Sequence, residues 1–227
     1  NFAVAEYTEG NAWQHSWFVP HDVRALIELQ GGNEAFVRKL DTLFQTESEV
    51  QGENISADIT GLIGQYAHGN EPSHHIPYLY NYAGASWKTQ EILRTITDSQ
   101  YDDTPAGLCG NEDCGQMSAW FVFTAMGFYP VNPAEGVYVI GTPFFDKVVI
   151  DIGEGRSFTI RTRYLTQENK YIQAATLHEE PLTRSYLRHY EIMDGGELIF
   201  EMGPQPNYLH WSDAEASPPS DSDPDFQ

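Results

Sequence analysis

A change in the spacing of apolar residues near position 130 constrains this 227-residue chain more than any other feature. Before it, apolar side chains recur every three to four positions, the period of one helix face; after it, they alternate or form short β-branched runs. In DVRALIELQGG, Val23, Leu26, Ile27 and Gln30 share a face, and Gly31-Gly32 stops the helix. Asn33 is expected to cap EAFVRKLDTLF, where Phe36, Leu40, Leu43 and Phe44 are spaced for burial. HHIPYLYNYAG aligns Ile76, Leu79 and Tyr80 and ends at Gly84, and Ser86 opens WKTQEILRTITDSQY. CGQMSAWFVFTAMGF (114–128) is apolar nearly all round, which predicts a fully buried helix.

From Gly136 onward, VYVIG, KVVIDI, SFTIRTRYL, YIQAATL and ELIFEMG read as strands separated by Gly, Pro and Asp. Gly153 with Gly155, and Asp194-Gly195-Gly196, are hairpin or loop signals. Five short strands cannot bury themselves alone, so a small antiparallel sheet or half-sandwich against the helices is expected. The class is therefore α+β: helical hairpins over 1–130, a β-rich region over 131–205, and a Pro/Ser/Asp-rich tail over 206–227 expected to be disordered. The opening NFAVAEYTEGNAW reads as the interior of a longer protein. Cys109 and Cys114 lack zinc-knuckle spacing, and a local disulfide or two thiols are equally compatible with it.

Charge narrows the partners. Thirty-three acidic residues against 12 basic ones give a formal charge of -21, and such a polyanion repels nucleic acid, whose binding relies on Lys and Arg. No apolar run approaches the ~20 residues that span a bilayer.

Three turns combine carboxylate, amide and aromatic residues: TEGNAWQH (8–15), HGNEPSHH (68–75) and GNEDCGQ (110–116). Each sets Gly-Asn beside a carboxylate, with a helix beginning just after it. In a bundle of alternating helices, such turns gather at one end. Their hard oxygen donors suit calcium or magnesium. Two carboxylates in opposite protonation states are what glycoside hydrolysis needs, and aromatic faces stack on sugar rings. Structural readings compete at each turn. Pro72 after Glu71 marks an ordinary helix start, so Asn70 or Glu71 could be a cap; Asp113 with Gln116 has capping-box spacing. His74-His75 are adjacent and face different ways, which favours packing or hydrogen-bonding roles over joint metal ligation. Trp120 and Phe121 fit a core as well as a sugar platform, and His178-Glu179-Glu180 fits a solvated strand end.

Taken together, YTEGNAWQHSW, GQYAHGNEPSHHIPYLYNYAG, WKTQEILRTI and GLCGNEDCGQMSAWFVFTAMGFYPV, in this order, resemble glycoside hydrolase family 92, calcium-dependent inverting exo-α-mannosidases. The resemblance runs from about Glu6 to Met202. It implies that this chain is the later part of an (α/α)6 toroid with its β-rich C-terminal portion. The N-terminal β-sandwich that completes the site lies elsewhere in the protein, so the isolated fragment is expected to be inactive. It further implies Glu9 as general acid, Asp113 as general base, and Asn70 and Glu71 as ligands of Ca2+. Trp13, His74, His75 and Gln116 become sugar or supporting contacts. Some relatives carry an aspartate where this chain has Asn111, which leaves Asp113 as the base candidate. The Gly52-Glu53 loop falls where the family distinguishes linkages. The implied substrate is a mannose-containing glycan, α-1,2-linked, and the implied location is outside the cytoplasm. A non-catalytic carbohydrate-binding or structural unit is the competing expectation.

Overall fold

The computed structural model describes residue 7 and residues 9–48 and 59–223; the Gly52-Glu53 loop lies outside them. In chain order the elements are α1 (Ala12–His15), α2 (Val23–Leu29), α3 (Asn33–Gln45), β1 (Leu62–Ile63), β2 (Tyr66–Ala67), α4 (Leu79–Tyr82), α5 (Ser86–Gln100) and α6 (Gln116–Met126). There follow β3 (Phe128–Tyr129), β4 (Val137–Ile140), β5 (Lys147–Gly153), β6 (Arg156–Arg163), β7 (Tyr171–Leu177), β8 (Glu180–Pro181), β9 (Tyr186–Arg188), α7 (His189–Met193) and β10 (Gly196–Gly203).

The helices start and stop where backbone chemistry dictates. Asp22 caps α2 by accepting from the Ala25 N–H at 3.1 Å. Gly31 and Gly32 close it at φ 95° and 90°, a region glycine enters without steric cost. Asn33 is not the cap of α3; Gly32 holds that position with no side-chain hydrogen bond, and Asn33 is already helical. HHIPYLYNYAG does not form one continuous helix. Pro72 and Pro77 each sit at the start of a 3-10 turn, Glu71–Ser73 and Ile76–Tyr78, and only Leu79–Tyr82 is α-helical, since proline supplies no N–H to an ongoing ladder. Helix α6 departs from expectation too: Trp120 is fully buried, but Ser118, Ala119 and Val122 are exposed, Val122 at 54%.

Among the described residues the strands form two sheets and a small β1–β2 hairpin. The larger sheet has the order β5-β6-β10-β7-β8, and β4 pairs with β3 and β9 in the other. The expected all-antiparallel arrangement is corrected at one seam, where β10 runs parallel to β6 while pairing antiparallel with β7. Alternation sends Phe158 and Ile160 of β6, and Leu198 and Phe200 of β10, to the buried face. Arg161 and Arg163 pair with Glu197 and Glu201 on the open face.

Two apolar clusters meet at β4. Val139 packs with the helices, among Trp17, Phe36, Leu40 and Trp120, while Ile140 packs with the sheet, among Phe158, Leu198 and Phe200. Adjacent strand residues face opposite sides, so one strand serves both cores. Polar links cross the same boundary: Asn81 donates to the Ile140 carbonyl at 2.9 Å, and Gln90 accepts from the Ile172 N–H at 2.9 Å.

Among the described residues, the tail over 206–223 is ordered. Ser217 and Ser220 are buried, the Ser220 hydroxyl accepts from the Arg24 N–H at 3.1 Å, the Asp221 N–H donates to His21, and Ser222 donates to Asp22 at 2.7 Å. Its Ser and Asp residues tie down the start of α2 instead of seeking water. Both cysteines are free thiols.

Candidate active site

Glycines bring two of the three turns together. A β-carbon on Gly110 would lie 3.0 Å from the Gly69 Cα, and one on Gly69 would strike the Thr60 hydroxyl at 1.9 Å, so the two backbones pass at a separation only glycine permits. The 60–69 segment is itself pinned to α3. The Gln65 N–H caps the Leu43 carbonyl at 2.7 Å, and Gly64, at φ 61°, approaches that carbonyl so closely that a β-carbon would meet it at 2.2 Å. The first turn joins through the Gln14 side chain, which donates to the Gln65 carbonyl.

Capping explains Asn11 in the first turn but neither Asn70 in the second nor Asp113 in the third. Asn11 caps α1, accepting from the Trp13 N–H at 2.8 Å, and the Gln14 side chain accepts from the Asn11 N–H at 2.7 Å, a complete capping box. Asn70 precedes the Glu71–Ser73 turn with no side-chain cap bond. Asp113 is likewise not a cap. Gly115 precedes α6, and Glu112 takes the capping work, its carboxylate accepting from the Ser118 N–H at 2.9 Å and the Ser118 hydroxyl at 2.7 Å. The Asn70 and Asp113 side chains, and the Glu71 carboxylate, are thereby left for other chemistry.

The Glu71 carboxyl senses its two neighbours. Burial is the first cause pushing the Glu71 carboxyl above its usual range, reinforced by a hydrogen bond with the Asp113 carboxyl and by the charges of Asp113 and Glu9. Glu71 Oε1 is buried without a hydrogen-bond partner. Glu9 and Asp113, both exposed, sit at φ 56° and 44°, and each is followed by a further positive-φ residue, Gly10 at 96° and Cys114 at 57°. A non-glycine residue held there costs on the order of 1 kcal/mol or more, strain that concentrates at functional sites. His15 holds the Glu9 turn, its Nε2 bonded to the Glu9 carbonyl at 2.7 Å.

A cavity of about 270 Å³ opens beside Glu71, lined also by Phe18, His75, Gln116, Tyr129 and Val131. His75 reaches it as a buried ring whose Nε2 donates to the Trp17 carbonyl at 2.8 Å. His74 is buried behind it, Nε2 on the His68 carbonyl at 3.0 Å and Nδ1 facing Gln116 Nε2 at 3.1 Å. Burial pushes both imidazoles down, His74 to about 4, keeping them neutral. Trp13 is half-buried against the helical core and does not line this cavity; Trp120 is wholly core. Sequence reasoning missed Phe18, 55% exposed with its ring nearly perpendicular to that of His75 at 5.5 Å, and Tyr129, whose hydroxyl accepts from Gln116 Nε2 at 3.2 Å. Neither residue type carries a motif; only an exposed aromatic immediately after a buried Trp17 could have signalled the first.

The donor chemistry fits a hard cation. Among the described residues no group of three or more His, Cys, Asp or Glu encloses a metal position. What is present is a buried, unpartnered carboxylate oxygen on Glu71 beside Asn70, itself 3% exposed: oxygen donors of the calcium type, to be completed by other oxygens.

The description "Glycosyl hydrolase family 92 catalytic domain" matches residues 2–204. The chain belongs to glycoside hydrolase family 92. Within that family, a solved α-mannosidase from Bacteroides thetaiotaomicron in complex with mannoimidazole is 41% identical, with a TM-score of 0.88 over 95% of this chain and 28% of its own. An inverting family 92 mannosidase from the same organism is 40% identical, TM-score 0.82, over 94% of this chain and 30% of its own. A curated relative from Arthroderma benhamiae, an uncharacterized secreted glycosidase, is 36% identical over 87% of this chain and 24% of its own length. The chain thus spans only 24–30% of the length of these relatives. It is glycosidase-family sequence with mixed helices and small sheets. Among the described residues no helix is long and apolar enough to cross a membrane.

Proposed function

We propose that this chain carries the acid, base and metal-holding residues of an inverting, calcium-assisted exo-α-mannosidase. The carrying observation is that the Gly69–Gly110 approach brings the Glu71 and Asp113 turns together beside one cavity, while the Glu9 turn joins the same segment through Gln14 and the Gln65 carbonyl. Glu9 protonates the departing glycosidic oxygen, a role that requires it to hold a proton in the complex. Asp113 takes the proton of the attacking water from the opposite ring face. Asn70 and Glu71 would hold calcium, which supplies charge stabilisation for a sugar becoming oxocarbenium-like. Gln116 and Phe18 line the sugar's place. In the whole protein the helices continue an (α/α)6 toroid over 1–130, with 131–205 as the β-rich C-terminal part. The remaining site residues come from an N-terminal domain, and the isolated fragment is inactive. The substrate is terminal α-1,2-linked mannose on glycans outside the cell, a reading supported by the mannosidase and secreted relatives.

The test is hydrolysis of α-linked mannobioses by the full-length protein before and after removal of calcium with a chelator. Turnover of the α-1,2 isomer that is lost on chelation and restored by added calcium is expected. Undiminished turnover after thorough chelation overturns the metal role, and preference for another isomer overturns the linkage.

A further inference from the structure

We propose that His74 is a positioning residue: it fixes the Gln116 amide so that the amide oxygen, not the nitrogen, is offered to the cavity as an acceptor for a sugar hydroxyl. The direction of each hydrogen bond follows from a single fixed point. The His68 carbonyl can only accept, so the His74 Nε2 lying 3.0 Å from it carries the ring proton. The ring is buried and neutral, so Nδ1 has a lone pair and no hydrogen. The Gln116 atom 3.1 Å from that lone pair must therefore be the amide nitrogen. Its second hydrogen goes to the Tyr129 hydroxyl at 3.2 Å, which saturates the nitrogen. Oε1 remains as the acceptor of a residue that lines the cavity with Glu71.

The imidazole cannot readily turn to release this arrangement. Trp120 Nε1 donates to the His74 carbonyl at 3.0 Å, and the imidazole packs in tilted contact with the rings of His68 at 4.9 Å and Trp120 at 5.8 Å. With Glu71 and Gln116 both presenting acceptors, the cavity selects ligands that bring hydroxyl hydrogens or a cation and opposes anionic sugars.

This rests on the mannosidase reading, and a wild-type full-length enzyme that fails to cleave α-linked mannobiose defeats that reading before any variant is compared. In an active enzyme, His74→Leu and Gln116→Ala are combined in a double-mutant cycle, read as kcat/KM with melting temperatures alongside. Each single variant is expected to lose roughly tenfold, the effect of one lost or misdirected hydrogen bond, and the double variant no more than Gln116→Ala alone. His74→Asn, whose amide oxygen can replace the Nδ1 acceptor, is expected to recover most of the activity. Should His74→Leu not fold, Tyr129→Phe enters the same cycle. Losses that simply multiply in the double variant, or His74→Asn no better than His74→Leu, overturn the positioning role.

Discussion

At the scale of single residues, function is written in what each side chain is not doing. Glu112, one residue before Asp113, is spent on Ser118, and Asn11 is spent on α1, whereas Asn70 and Asp113 make no cap bond. Glu9→Gln in the full-length enzyme is therefore expected to cut kcat by about 10²–10⁴ on mannobiose, the range of general acid catalysis, and far less on an aryl mannoside whose leaving group needs no proton. Equal losses on both substrates would remove Glu9 from the acid role. Glu71 gives a second prediction. Its carboxyl is raised in the fold, so the ionised form opposes folding at neutral pH, and this penalty vanishes as pH falls below the unfolded-state carboxyl range. Without calcium, Glu71→Gln is expected to melt at or above wild type at pH 7, with no gain at pH 4. With calcium at about 100 times Kd, wild type should gain roughly 2.7 kcal/mol and the variant nothing. Thermal melts in chelator and in calcium decide both points.

At the scale of elements, periodicity was readable and connection was not. The faces of α2 and α3 and the five main strands follow directly from apolar spacing. The parallel β6–β10 seam did not, because pairing partners are chosen by the route of the intervening chain and leave no local pattern. Nor did the broken 71–82 segment, although Pro72 and Pro77 were the visible reason for it. The motif turns were legible as chemistry; what joins them, the Gly69–Gly110 approach, is written in two glycines that read locally as mere turn residues. Behind these turns lies a buried chain, Tyr66 to His68 at 2.7 Å and His68 to Tyr101 at 2.6 Å. Burial, with the nearby His74, pushes His68 down to about 2. The native ring refuses a proton that the unfolded chain accepts below about pH 6.5, so its stabilising contribution is lost as pH falls. Unfolding free energy should therefore drop between pH 6.5 and 5 by up to about 1.4 kcal/mol per pH unit for each such histidine. Urea titrations of wild type and His68→Gln across that range should give a shallower slope for the variant; identical slopes would refute the assignment.

At the scale of the whole molecule, helices and sheet are one body because β4 feeds both cores and the tail returns to α2. Composition alone marked residues 206–227 for disorder, and over 206–223 the structure shows why composition misled. Its serines and aspartates find partners in His21, Asp22, Arg24 and Tyr82, contacts that only the fold creates. Deleting residues 212–227 removes several of these and uncovers Trp211, which should lower stability by about 2–4 kcal/mol in urea melts. No change would mean the strap is idle. The account as a whole turns on one spatial relation, that of the Glu9 and Asp113 carboxyls across the sugar's place. A crystal structure of the full-length protein grown with calcium and a mannose-derived inhibitor measures it directly. The account predicts an ion on Asn70 and Glu71 and a carboxyl separation of about 6.5–9.5 Å, room for one water opposite the leaving group. A separation near 5 Å, or an inhibitor bound away from Glu71, would contradict it.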